Sequence, residues 1–165
     1  MTLRPTPLSA FCLAFWLATA LTACDDSASR ELQPGIAGEA EVRDRFGVPG
    51  MTWDNDDGSV TLEYSRGPEG VKTWMITLGP DRRLRQIEQV LDDAHFARVQ
   101  PGMSEHEVRR LLGKPGHVRP MSNGGGSEWD WHFVGPIATE EWHFYVTFDR
   151  QGKVLRSERQ QVLRR

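Results

Sequence analysis

Cysteine is almost missing from this chain. Of its 165 residues only Cys12 and Cys24 are cysteines, and both precede any segment with the pattern of a folded domain. Beyond them there is no thiol to form a disulfide, complete a zinc site or act as a nucleophile, so the body of the protein must be held by its core. An excess of positive charge is also lacking: 20 Lys and Arg stand against 23 Asp and Glu, for a formal net charge of -3. Nucleic acid is therefore not an expected partner. Spacings that carry metal or phosphate chemistry are absent too. In "DNDDG" (Asp54 to Gly58) the glycine falls one place early for a calcium loop, and Ser65 stands where the last acidic ligand is needed. "NGGGS" (Asn123 to Ser127) is followed by no Lys-Ser or Lys-Thr. His132 and His143 could meet across neighbouring strands, which leaves a metal-dependent enzyme as a remote alternative, but no tight histidine pair supplies further ligands. No nucleophile elbow with a Ser-His-Asp set appears. The expectation is a binding protein, with no catalytic residue, no metal and no cofactor.

What is present begins with an address. Arg4 gives a small positive start, Leu8 to Ala20 is an apolar run, and "LTAC" (Leu21 to Cys24) closes it with small residues. The run is shorter than the roughly 20 residues that span a bilayer. Residues 1–23 therefore read as a secretory signal. "LTAC" resembles the bacterial lipobox, and the resemblance implies cleavage before Cys24, acylation of that residue and attachment to a membrane through lipid. Two or three acyl chains suffice for stable anchoring, since each buried methylene contributes about 0.8 kcal/mol. Arg4 is the only charged side chain lost with the signal, which leaves 19 basic and 23 acidic residues. Residues 24–33 are polar without a hydrophobic period and read as a flexible tether.

The rest says one thing twice. "PGIAGEAEVRDRFGVPG" (Pro34 to Gly50) is repeated as "PGMSEHEVRRLLGKPG" (Pro101 to Gly116), aligning Val42 with Val108, Gly47 with Gly113, Pro49 with Pro115 and Gly50 with Gly116. Further on, "WMITLGPDRRLRQIEQ" from Trp74 falls on "FYVTFDRQGKVLRSER" from Phe144. A spacing near seventy residues suits a duplicated small domain better than a solenoid. In the second copy Ser104 and Glu107 form a capping box, Val108, Leu111 and Leu112 make an apolar stripe, and Gly113 with Pro115 stops the helix. Phe96 and Val99 suggest a short helix before it. Then the period changes to two: Trp129, Trp131 and Phe133 alternate with Asp130 and His132, and Trp142, Phe144, Val146 and Phe148 with His143, Tyr145 and Thr147. The expected fold is α+β, with two tandem units (34–91 and 92–165), each two short helices packed on a three-stranded antiparallel sheet. One unit of about 65 residues sits near the limit for folding alone without disulfides, which gives a reason for pairing two.

The stretches "FARVQPGMSEHEVRRLLGKPG", "WDWHF" and "WHFYVTFDRQGKV" together resemble the outer-membrane protein assembly factor BamE (SmpA/OmlA) family. The likeness covers nearly all of Phe96 to Val162 and, more faintly, Gly35 to Leu91, where Gly38 replaces the capping Ser. The tandem arrangement is also similar to that of the β-lactamase inhibitory protein. The family resemblance implies a lipid-anchored, periplasm-facing scaffolding protein of envelope biogenesis, with outer-membrane assembly proteins as partners; the second resemblance implies an inhibitor or ligand-binding protein instead. By family the membrane is the outer one, whereas Asp25 after Cys24 resembles the inner-membrane retention signal of enterobacterial lipoproteins.

A sheet covered by helices on one face leaves the other in water. In the second unit that face carries Asp130, His132, His143 and Tyr145, a mixture of carboxylate, imidazole and phenol suited to partner binding. The corresponding Thr61, Glu63, Thr73 and Met75 of the first unit are plainer. Trp53 lies outside the apolar period, where an aromatic could anchor a partner.

Overall fold

The computed structural model describes residues 29–162 apart from 123, 136, 138 and 139. The signal, Cys24 and Asp25 lie outside them. In order, the elements are helix α1 (Glu39–Phe46), strands β1 (Met51–Asp54), β2 (Val60–Ser65), β3 (Thr73–Leu78) and β4 (Leu84–Gln89), helices α2 (Asp93–Phe96) and α3 (Glu105–Leu112), and strands β5 (His117–Pro120), β6 (Ser127–Val134), β7 (Glu141–Phe148) and β8 (Val154–Gln161). The class is α+β, but the sheets are larger than expected. Each is a four-stranded antiparallel meander, β1-β2-β3-β4 and β5-β6-β7-β8, in place of three strands. The first strand of each sheet carries too little signal for a period-two reading. β1 is four residues long, and all four residues of β5 are exposed. The helices differ as well: the first unit has α1 and one helical turn at 29–31. The chain is also anchored earlier than its polar composition suggests, since Leu32 is buried in the first core.

The two halves repeat in detail. The residue before each long helix bridges the turn before the last strand, Gly38 to Arg83 and Ser104 to Lys153. Each helix stops on a glycine whose N–H returns to the last turn, Gly47 to Arg43 and Gly113 to Arg109, both at 2.8 Å. The next glycine donates to the second strand, Gly50 to the Glu63 carbonyl and Gly116 to that of Asp130. Even the register irregularity recurs, at Thr77/Leu78 and Thr147/Phe148. The capping box of α3 is formed as expected, with Ser104 accepting from the Glu107 N–H and the Glu107 carboxylate accepting from the Ser104 N–H. Gly38 gives α1 no side-chain cap.

Each sheet buries its apolar face under its own helix. In the first core Phe46 of α1 packs on Tyr64 and Trp74, with ring centroids 5.3 and 6.0 Å apart. In the second, Val108, Leu111 and Leu112 of α3 and Phe96 of α2 meet the aromatic face of the second sheet, where Phe96 stacks on Phe144 at 4.2 Å. Trp131 donates its indole N–H to the Gly113 carbonyl, pinning the helix stop to that core.

The opposite face of the first sheet is not open. Glu63, Thr73 and Met75, expected on a solvated face, are 1%, 2% and 5% exposed, because α3 and the loop after it lie against them. α3 is therefore shared between two sheets, and the layers run α1, first sheet, α2 with α3, second sheet. Glu63 is the polar centre of the contact. Its Oε1 accepts from the Lys114 backbone N–H at 2.9 Å and lies 3.7 Å from Arg109, while its Oε2 accepts from the Trp53 indole at 3.2 Å. Trp53 in turn lies edge-on to His106 and beneath the guanidinium groups of Arg109 and Arg110, at 5.7 and 5.3 Å. Arg110 also donates to Asn55. Trp53, which its position outside the apolar period marks as a candidate anchor for a partner, packs instead against the second unit of its own chain.

Candidate interaction face

The free face of the second sheet is built from residues that alternate outward along its strands. Antiparallel register sets His117 of β5 opposite Asp130 of β6, Asp130 opposite Tyr145 of β7, and His132 opposite His143. Asp130, His132, His143 and Tyr145 are thus brought together as the sequence period requires. The structure adds two residues that the period could not reveal, His117 and Arg119 on the unrecognised strand. A sequence signal for them existed: sliding the first unit onto the second sets Met51 on His117 and Trp53 on Arg119.

Asp130 departs from the expectation of a solvated strand-face residue, being 1% exposed. A buried carboxylate needs compensating donors or charge, and its neighbours supply them. His143 Nδ1 lies 2.9 Å and His117 Nδ1 3.4 Å from Oδ2, and Arg119 Nη1 lies 2.9 Å from Oδ1, though out of hydrogen-bond alignment. Above this ionic floor the rings form a ledge. His132 stacks on His143 at 5.0 Å with an interplanar angle of 12°, and His143 stacks on Tyr145 at 5.7 Å and 19°. Burial, followed by the Asp130 carboxylate, holds the Tyr145 phenol above its ordinary pKa, so near neutral pH it is an O–H donor.

The arrangement combines flat aromatic surface with fixed polar groups, the composition of a protein-binding surface. Among the described residues no group of three or more His, Cys, Asp or Glu could hold a metal ion. A cleft of about 440 Å³ lies between the units, lined by Thr61, Met75 and Thr77 on one side and Glu107, Arg110 and Leu111 on the other. It is the gap left by packing α3 on the first sheet. The described part of the glycine loop beside the face is hydrogen-bonded, with the Met121 N–H donating to the Gly126 carbonyl and Arg150 to that of Gly124.

No curated protein matches this sequence. Among solved structures, a candidate beta-lactamase inhibitor protein from Streptococcus mutans is 11% identical, with 85% of this chain and 97% of that one covered and a TM-score of 0.35. A DUF4309 family protein (YjgB) from Bacillus subtilis is also 11% identical, with 82% and 85% covered and a TM-score of 0.32. The family described as "Outer membrane protein assembly factor BamE domain" matches residues 88–158. That segment runs from the end of β4 into β8 and contains α2, α3, Asp130 and the histidine-tyrosine ledge. Over these residues the second unit is similar to the BamE domain.

Proposed function

We propose that this chain is a lipid-anchored, periplasm-facing binding and scaffolding protein of outer-membrane protein assembly, and that the ledge of His132, His143 and Tyr145 over Asp130 is its interaction face. The BamE domain at 88–158 carries the assignment to assembly. The fold supports this choice of face: the first sheet spends its polar face on α3, whereas no helix among the described residues packs on the equivalent face of the second sheet.

The reading has a direct test on the full-length chain extracted from membranes in mild detergent. Outer-membrane assembly proteins should co-purify with it, and Tyr145→Ala should reduce their capture by about tenfold, as truncation of a binding aromatic costs 1–2 kcal/mol or more. Thermal unfolding should move little, because Tyr145 is only partly buried. His143→Ala is expected to lower capture as well, but with measurable destabilisation, since it removes a partner of buried Asp130. Unchanged capture by the Tyr145 variant would remove the face from consideration. A preparation in which no outer-membrane assembly protein is enriched would count against the function itself.

Anchoring rests on Cys24. Cys24→Ala should shift the protein from the membrane fraction to the soluble fraction, and mass spectrometry of the wild-type protein should find an acylated N-terminal cysteine. An unmodified chain beginning elsewhere would refute the anchor. Among the described residues no helix is long and apolar enough to cross a membrane.

A further inference from the structure

We propose that the free face of the second unit receives the helix-and-stop element of the first unit of another copy of this chain, so that copies join head to tail by repeating the contact already made inside each one. The inference rests on the reading of that face as a binding surface and names its occupant.

The internal contact has a defined chemistry. A buried carboxylate, Glu63, accepts the backbone N–H just after a helix stop, that of Lys114, and the residue on the edge strand, Trp53, takes the side chain of Arg110. The duplication places an equivalent of every part. Asp130 occupies the position of Glu63, fixed by the matching Gly50 and Gly116 bonds to the two carbonyls, but its carboxylate is covered by His117, Arg119 and His143 of its own sheet, so that these side chains form the outer surface of the site. Arg119 occupies the position of Trp53, and Tyr145 that of Met75.

The other half of the contact is equally available. On the first unit the equivalent of Lys114 is Val48, 88% exposed, and Asp44 takes the place of Arg110 on the exposed side of α1. Gly113 is so closely covered that a Cβ would lie 2.5 Å from Thr73, whereas a Cβ on Gly47 would meet nothing within 4 Å. The first unit therefore presents a stop of the same geometry on which nothing among the described residues is seated, with Arg45 beside it paired to Glu31.

The substitutions between the copies are complementary. Where the internal contact sets a cation over an aromatic ring, Arg110 on Trp53, the contact between copies would set an anion on a cation, Asp44 on Arg119. Where Leu111 faces Met75, it would set Arg45 against the Tyr145 ring, an arrangement that cations favour. Because one copy gives its first unit and the other its second, the contact is heterologous and extends into rows. A lipid anchor would confine such rows to a membrane surface.

The test uses two full-length copies with different C-terminal tags, expressed together and extracted in mild detergent. Wild-type copies should capture each other. Asp44→Lys in both copies should reduce capture by about tenfold or more, as breaking an interfacial charge pair does, and adding Arg119→Glu to both should restore it to within about threefold. Asp44 is exposed, so its variant reads the contact and not the fold; if Arg119→Glu proves unfolded by circular dichroism, Arg119→Gln in an otherwise wild-type chain, with the same expected loss, replaces it. Absence of mutual capture, or capture indifferent to Asp44→Lys, overturns the proposal. If in that case Tyr145→Ala still cuts capture of assembly proteins, the face stands and only its occupant is wrong.

Discussion

Glu63→Leu should destabilise the protein by about 3 kcal/mol, the scale expected when one member of a buried polar set is removed and the others stay. Leucine fills a similar volume, and the added apolar burial would offset part of the loss if all the partners were apolar too. They are not. The substitution leaves the Lys114 N–H and the Trp53 indole N–H without their acceptor and Arg109 without its counter-charge, and each orphaned donor costs about 1–3 kcal/mol. Chemical denaturation followed by tryptophan fluorescence measures the change. Hydrogen exchange should show α3 and β1 losing protection, whereas β7 and β8 keep theirs. A variant as stable as wild type would mean that the two units do not pack through this carboxylate.

Gly113→Ala is the second large effect, and Gly47→Ala is its matched control. Both glycines end a helix with positive φ, 77° and 83°, in backbone regions that cost a residue with a side chain roughly 1–3 kcal/mol. That cost is common to both sites. Only at Gly113 would the new methyl also press on Thr73 at 2.5 Å and Ser65 at 3.0 Å, against two strands of the first sheet that cannot both retreat. Gly113→Ala should therefore cost more than Gly47→Ala by about 1–3 kcal/mol, the range for overpacking. Equal costs in the two variants would show that the close approach between the units is not made in solution.

The parts of this fold that were legible in the sequence are those with a strong local cause. The capping box at Ser104 and Glu107, the glycine-proline stops and the alternating aromatic strands each have a physical reason contained within about ten residues. What escaped was set from outside the segment. β1 and β5 are edge strands whose side chains are mostly exposed, so nothing in "MTWD" or "HVRP" alternates enough to mark a strand; pairing with β2 and β6 makes them strands. The burial of the first sheet's polar face has a related cause. Thr73 and Met75 do not announce burial, and Glu63 announces the opposite; all three are buried because α3 has a second apolar and charged side that the other unit's stripe does not use.

The same logic explains how far the candidate face could be read. Asp130, His132, His143 and Tyr145 fall together because strand alternation and register suffice to place them. The burial of Asp130 was not foreseeable from its type, since an aspartate on a polar strand face reads as solvated until Arg119 and His117 are seen beside it. The family match reports the domain and not the occupant of its face; the occupant proposed above comes from comparing one half of the molecule with the other.

Site-specific crosslinking in intact cells tests the central claim most directly, namely that the second unit exposes the face which the first unit covers. A photoreactive phenylalanine derivative is placed at position 145 in one strain and at position 75 in another, the two positions being equivalent in the repeat. The account predicts that position 145 yields adducts of higher mass, containing another protein chain, while position 75 yields none because Met75 is 5% exposed beneath the second unit. Adducts at position 75 with none at position 145 would contradict it.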